Sequence, residues 1–216
     1  MTKNPRFITF EGGEGVGKST QVKILTQTLE AKGLNVVCTR EPGGSPGAED
    51  IRELLVKGGT DKWQPMTEAL LHNAARAEHL KAKIKPALKN DAWVVCDRYA
   101  DSTLAYQGYG QGVDKETLLK LHKISTDDFW PDLTIILDGN NLSRAKARED
   151  EVADNNAKED RYERMGDDFH AKLQNSFRDI AKNNPNRCVL ITAEGTIEQM
   201  AAKIWAVVAD KFGLEK

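Results

Sequence analysis

The chain has 216 residues, of which 39% are hydrophobic, 30% charged and 6% aromatic, the composition of one large globular domain. Lys+Arg 31 against Asp+Glu 33 leaves a formal charge of -2, without the basic surplus of a non-specific binder of nucleic acid or anionic membrane. The longest apolar run, residues 204–209, cannot span a bilayer, and residues 1–10 hold no apolar stretch of signal-peptide length, so a cytoplasmic protein is expected.

The predicted elements alternate between short apolar runs and longer amphipathic ones. Residues 6–11 (RFITFE) read as the first strand and lead into a glycine-rich loop. A helix follows over 18–32, with Val22, Leu25 and Leu29 on one stripe and Gly33 as its stop. Residues 35–40 (NVVCTR) form the second strand, and 41–47 (EPGGSPG) a rigid Pro/Gly loop. A long helix is predicted from Pro65 to about Lys89, with Leu70, Ala74, Ala77, Leu80, Ile84 and Leu88 as its apolar face. Residues 92–97 (AWVVCD) make the third strand, and 102–112 (STLAYQGYGQG) a polar, glycine-rich loop. A helix over 114–126 and a fourth strand over 133–138 (LTIILD) come next. Residues 149–160 (EDEVADNNAKED) lack apolar anchors and form a candidate lid, about 144–164 with its flanks. Helix 161–183, strand 188–192 (CVLIT) and a helix from Thr196 to near Gly213 complete the chain, the last opened by a Thr196/Gln199 capping box.

Continuous apolar strands suit a sheet covered on both faces, and strands alternating with helices point to βαβ units. The fold class is therefore α/β, a three-layer fold with a five-stranded parallel sheet flanked by helices, in a single domain over 1–216, and the glycine-rich loop GGEGVGKS at 12–19 after its first strand makes it a P-loop NTPase fold. Cys38, Cys96 and Cys188 lie in or beside three of the strands, form no CxxC pair, and are read as buried reduced thiols.

Gly12-Gly13-Glu14-Gly15-Val16-Gly17-Lys18-Ser19 fits G-x-x-x-x-G-K-[ST] and has the strand before it and the helix after it that the motif requires. Glycines let backbone N–H groups approach phosphates, and the helix N-terminus adds favourable partial charge. Lys18 would reach the β- and γ-phosphates of ATP, and Ser19 would offer its hydroxyl to Mg²⁺, with Thr20 completing the loop. The chain lacks the N/TKxD element of GTPases and the LSGGQ signature of transporter ATPases. A small-molecule kinase is the remaining class.

In an open α/β sheet, ligands bind beyond the carboxyl ends of the strands, so Arg40-Glu41 and Asp97-Arg98 should arrive beside the phosphate loop. A carboxylate at Asp97 can hold Mg²⁺ or its waters, and Arg98 can clamp an acceptor phosphate bidentately. His72, Arg76 and His79 share one side of the long helix and are available to a pocket. On these residues alone, another nucleoside-monophosphate or nucleoside kinase, a nucleotide-hydrolysing regulatory switch and a silent ATP-binding scaffold stay open.

The segments FEGGEGVGKST (10–20), TREPGGSPGAEDIRELL (39–55), EALLHNAARAEHL (68–80), DRYADSTLAYQGYGQGVD (97–114) and PDLTIILD (131–138) closely resemble the thymidylate kinase family, as does the Arg-rich stretch 144–164. The resemblance implies transfer of the ATP γ-phosphate to dTMP with Mg²⁺, in a homodimer. It implies that Lys18 and Ser19 hold ATP and metal, that Asp97 assists at the metal, and that Arg98 clamps the dTMP phosphate. Arg76, Ser102 and Gln107 take the positions that recognise the thymine edge, Glu14 the one that contacts the sugar 3′-hydroxyl, and Tyr106 the one beside the deoxyribose. Gly15 stands where some members carry a catalytic arginine, which implies the bacterial type with a lid-supplied arginine, here Arg148 or Arg161, with Arg144 behind them. His72 stands where the family usually has a phenylalanine that stacks on thymine.

Overall fold

The computed structural model describes residues 6–139, 162 and 165–215. Five strands, β1 (Phe7–Gly12), β2 (Val36–Arg40), β3 (Trp93–Asp97), β4 (Leu133–Asp138) and β5 (Cys188–Thr192), pair in parallel in the order β2-β3-β1-β4-β5. The helices are α1 (Lys18–Ala31), α2 (Pro46–Val56), α3 (Pro65–His79), α4 (Lys85–Lys89), α5 (Ala100–Thr103), α6 (Lys115–Thr126), α7 (Asp167–Asn183) and α8 (Ile197–Phe212), with π-helical segments at Leu80–Ile84 and Leu104–Gly110.

Side chains alternate across each strand, so the sheet feeds two cores. On one face Ile8, Phe10, Val95, Ile135 and Leu137 pack on Val22, Leu25 and Leu29 of α1 and on Ile204 and Val208 of α8. On the other, Phe7, Val94 and Cys96 meet Leu80, Ile84 and Tyr99, while Ile136 meets Leu173 and Phe177 of α7. Central β1 is buried along its whole length, as a strand covered on both faces must be. The chain runs to one side of β1 for β2 and β3 and to the other for β4 and β5, which puts the topological switch point at the carboxyl end of β1.

The predicted terminal signals hold. Gly33 adopts φ 76 after α1, and Thr196 and Gln199 form the reciprocal capping box of α8.

Four expectations are corrected. The Pro/Gly loop gives way at Pro46 to α2, which went unpredicted although Ser45-Pro46 and Glu49 are start signals. The long helix passes through a π-helical turn at Leu80–Ile84, and its first half is turned around: Leu70 is 50% exposed, whereas Glu68, Ala69, Asn73, Arg76 and His79 are buried. The polar side of α3 faces inward because other polar groups wait there. The glycine-rich segment 102–112 is helical through Gly110, not a loop. Cys38 is exposed because β2 is an edge strand, while Cys96 and Cys188 are buried. The candidate lid 149–160, with Arg144, Arg148 and Arg161, lies outside the described residues, and the predicted helix 161–183 is described from Asp167.

Candidate active site

The loop between β1 and α1 begins at Gly12, whose φ of 131 and close approach to β4 exclude a side chain, since an added Cβ would run into the Leu137 carbonyl oxygen. Lys18 is buried, and its ammonium donates to the carbonyl oxygens of Gly12 (3.1 Å) and Gly13 (2.5 Å). Burial and the nearby Arg98 charge push the Lys18 pKa below its ordinary value. Ser19 Oγ donates to Asp97 Oδ2 at 2.7 Å, joining the loop to the end of β3. The other Asp97 oxygen, Oδ1, is buried without a hydrogen-bond partner.

Arg98 follows with φ 68, a left-handed conformation uncommon for a side-chain-bearing residue. That turn carries its guanidinium back over the phosphate loop. Nη1 donates to Gly12 O (3.1 Å) and Ser102 Oγ (3.0 Å), and Nη2 to Glu14 Oε1 (2.6 Å) and Tyr106 Oη (2.9 Å). The Tyr106 hydroxyl in turn donates to Glu14 Oε1 at 2.7 Å. Burial opposes ionisation of Glu14, but Arg98, Lys18 and this hydroxyl overcome it and hold the carboxyl down at about 2.

Glu41, at the end of β2, is buried between two α3 residues. Its Oε2 accepts from Arg76 Nε at 2.8 Å and its Oε1 lies 3.0 Å from His79 Nδ1. The Arg76 fork also donates to Tyr99 O (3.1 Å) and Thr103 Oγ1 (2.9 Å), and His79 Nε2 lies 2.8 Å from Thr39 Oγ1. Gly44 is required beside this cluster, because at φ 91 a Cβ would collide with the His79 ring and the Thr39 hydroxyl. Arg40, by contrast, is exposed and pairs with Glu49 at 3.0 Å.

A third cluster centres on Glu68 of α3. Its Oε2 accepts from Gln107 Nε2 (3.2 Å), Gln111 Nε2 (2.8 Å) and the Tyr162 hydroxyl (3.2 Å), and that hydroxyl lies 3.0 Å from His72 Nε2. Tyr162 stands edge-on to Tyr106 with ring centroids 5.4 Å apart. Gln107 Oε1 is buried without a hydrogen-bond partner.

Members of all three clusters line one cavity of about 600 Å³, with Glu68 and His79 behind its wall. The phosphate loop from Glu14 to Gln21 forms one wall, and His72, Arg76, Asp97, Arg98, Tyr106 and Gln107 another. The two ends differ in character, one rich in loop N–H groups and the other in convergent side chains.

The structure thus brings most of the sequence-predicted residues together. Gly12, Gly13 and Gly15 to Thr20 sit in the loop, Arg98, Ser102, Tyr106 and Glu14 meet in one network, and Asp97 joins the loop through Ser19. Two predicted base-edge residues are occupied otherwise: Arg76 is bonded to Glu41, Tyr99 and Thr103, and Ser102 lies between Arg98 and Glu11. Sequence reading missed Glu11, Glu68 and Tyr162. It also missed residues 193–197 beyond β5, where Gly195 and Thr196 line the cavity and Ile197 O accepts from Gln21 Nε2 at 3.0 Å. The carboxyl-end rule for parallel strands was the available signal for that segment.

A family model described as thymidylate kinase matches residues 10–204. The thymidylate kinase of Rhizorhabdus wittichii is 47% identical over 205 residues, covering 95% of this chain and 97% of that protein. That of Caulobacter vibrioides is 46% identical over 211 residues, covering 96% and 98%. Among solved structures, the thymidylate kinase of Ehrlichia chaffeensis superposes with a TM-score of 0.75 at 35% identity, over 95% of this chain and 99% of that one. The chain belongs to the thymidylate kinase family.

Proposed function

We infer that the protein transfers the γ-phosphate of ATP to dTMP, giving dTDP and ADP, within a single domain whose lid spans about 144–164. The observation that carries this reading is one cavity lined by two groups suited to phosphate. One is the loop from Gly12 to Thr20 with Lys18; the other is Arg98, fixed over that loop by bonds to Gly12, Ser102, Glu14 and Tyr106. A hydrolase needs only the first. An acceptor monophosphate is already ionised at neutral pH, so no general base is required, and alignment plus charge dispersal are the protein's task.

Lys18 is held at the loop carbonyls, ready to exchange them for the β- and γ-phosphate oxygens of ATP. Arg98 exchanges its Glu14 oxygen for an acceptor phosphate oxygen, which frees Glu14 and the Tyr106 hydroxyl to face the sugar. Gln107 offers its unpartnered Oε1 to the N–H of the base, and His72 and Arg76 border the same space. Arg40 and Glu41 close the rim from β2, with Glu41 setting Arg76 in place. Arg148 and Arg161, outside the described residues, are assigned to the transferring phosphoryl group, because Gly15 leaves the loop without an arginine.

Ser19 and Asp97 fit a Mg²⁺ site, since a buried carboxylate oxygen without a partner calls for an ion or its bound water. Among the described residues no group of three or more His, Cys, Asp or Glu converges, as suits an ion shared with nucleotide phosphates rather than caged by protein. When bound, Mg²⁺ neutralises charge on the β- and γ-phosphates.

We assign the protein to the cytoplasm as a homodimer. Among the described residues no helix is long and apolar enough to cross a membrane. Helices α2 and α3 expose Leu54, Met66 and Leu70, an apolar set suited to a second copy.

The test is a coupled ADP-release assay with ATP and Mg²⁺, offering dTMP, dUMP, dCMP, dGMP, AMP and thymidine separately. Turnover should be strongest with dTMP. Preference for another acceptor would move the base-pocket assignments, and release indifferent to every acceptor would overturn the transferase reading.

A further inference from the structure

Alternation along β1 puts Phe7, Thr9 and Glu11 on one face, so a carboxylate points into the core at the last turn before the phosphate loop. Glu11 is fully buried. Such a group is tolerated only if its oxygens are hydrogen-bonded, and here they are. Oε1 accepts from the backbone N–H of Tyr99 (2.7 Å) and of Ser102 (3.2 Å), and Oε2 accepts from the Ser102 hydroxyl (2.5 Å). All three donors belong to the segment directly after Arg98. Behind them Asp101 is neutralised by a two-pronged pair with Arg187, at 2.6 and 2.8 Å.

The consequence lies in a single proton. A serine hydroxyl has one hydrogen and two lone pairs. Burial and the nearby Asp101 charge push the Glu11 carboxyl up to about 7, and in its ionised form it takes the Ser102 hydrogen, so only lone pairs face Arg98 Nη1, which donates to them at 3.0 Å. The same carboxylate also ties down the backbone on which Arg98 holds its left-handed φ of 68. We propose that Glu11 is the positioning residue of the acceptor-phosphate clamp, fixing the Ser102 hydroxyl and the turn after Arg98 so that the guanidinium is presented to the acceptor. The inference rests on the assignment of Arg98 to the acceptor phosphate made above.

The test is steady-state kinetics on the full-length protein with Glu11→Gln, Ser102→Ala and the double variant, varying dTMP and ATP separately. Glutamine keeps the shape and one acceptor oxygen but presents an amide N–H to Ser102, which turns the hydroxyl hydrogen toward Arg98. The dTMP KM should rise about tenfold in Glu11→Gln and several-fold in Ser102→Ala, while the ATP KM stays within about twofold. The double variant should be no worse than the more impaired single one, because both break one relay. Should Glu11→Gln fail to fold, Ser102→Ala keeps both backbone anchors and carries the test alone. Wild-type dTMP KM in the variants, parallel loss for both substrates, or additive effects would overturn the role of Glu11. A wild-type enzyme that turns over no dTMP would instead overturn the assignment of Arg98 beneath it.

Discussion

Arg98 has a bonded acceptor for each of its four Nη hydrogens, on Gly12, Ser102, Glu14 and Tyr106. A lysine supplies a point charge without the planar fork, so it cannot span these groups and a phosphate together. Arg98→Lys should therefore lower kcat/KM for dTMP by about 10²-fold, with the ATP KM nearly unchanged, as read by steady-state kinetics. Equal weakening for both nucleotides would place Arg98 at the donor instead. Glu14 gives a pH signature at the same site. Its carboxyl falls from 4.5 to about 2 in the fold, so its stabilisation is present above 4.5 and lost as pH falls toward 2. Thermal unfolding between pH 5 and pH 2 should show wild type losing about 3 kcal/mol more than Glu14→Gln. Superimposable acid limbs would mean that the Glu14–Arg98 pair does not survive in solution.

At the scale of elements, α3 explains most of what the sequence concealed. Its apolar residues suggested a core stripe through Leu70 and Ala74, yet the helix turns Glu68, Asn73, Arg76 and His79 inward. Periodicity finds apolar faces; it cannot see a buried polar face whose partners lie on other strands and helices. Glu41 is such a partner, and without it the Arg76 guanidinium is left buried with no counter-charge and His79 Nδ1 loses its hydrogen-bond partner. Glu41→Ala should cost about 3–5 kcal/mol in urea unfolding, well beyond a surface change. A loss below about 1 kcal/mol would show that the cluster relaxes onto Tyr99 O and Thr103 alone. The π-helical segments escaped for a related reason, since no simple propensity marks them and they occur where packing or a site requires them. The glycines of 102–112 suggested a loop, but Leu104, Ala105 and Tyr106 are core residues and pull the segment into helix.

Across the whole molecule, the sheet was the most legible part. Strands 133–138 and 188–192 match their predicted bounds, because both are continuous apolar runs flanked by polar residues, although only the first is buried over most of its length and the second lies at the sheet edge. The phosphate loop was legible for the same reason of locality, its chemistry lying in eight consecutive residues. At the acceptor end Arg98 was legible from the carboxyl-end rule, but Glu14, Tyr106 and Ser102 were legible only through resemblance, since they come from two separate segments that meet only in the fold. Glu11 and Glu68 carried no signal, because a lone buried carboxylate is recognised by its donors and these are distant in sequence.

One cavity passes a phosphoryl group between two nucleotides. A ³¹P NMR time course of the protein with ATP, Mg²⁺ and dTMP tests this transfer most directly, by following where the γ-phosphorus goes. dTDP and ADP should rise in equal amounts, with no inorganic phosphate formed ahead of them. ADP accompanied by inorganic phosphate, with dTMP unconsumed, would contradict the transfer and make the protein a nucleotide hydrolase.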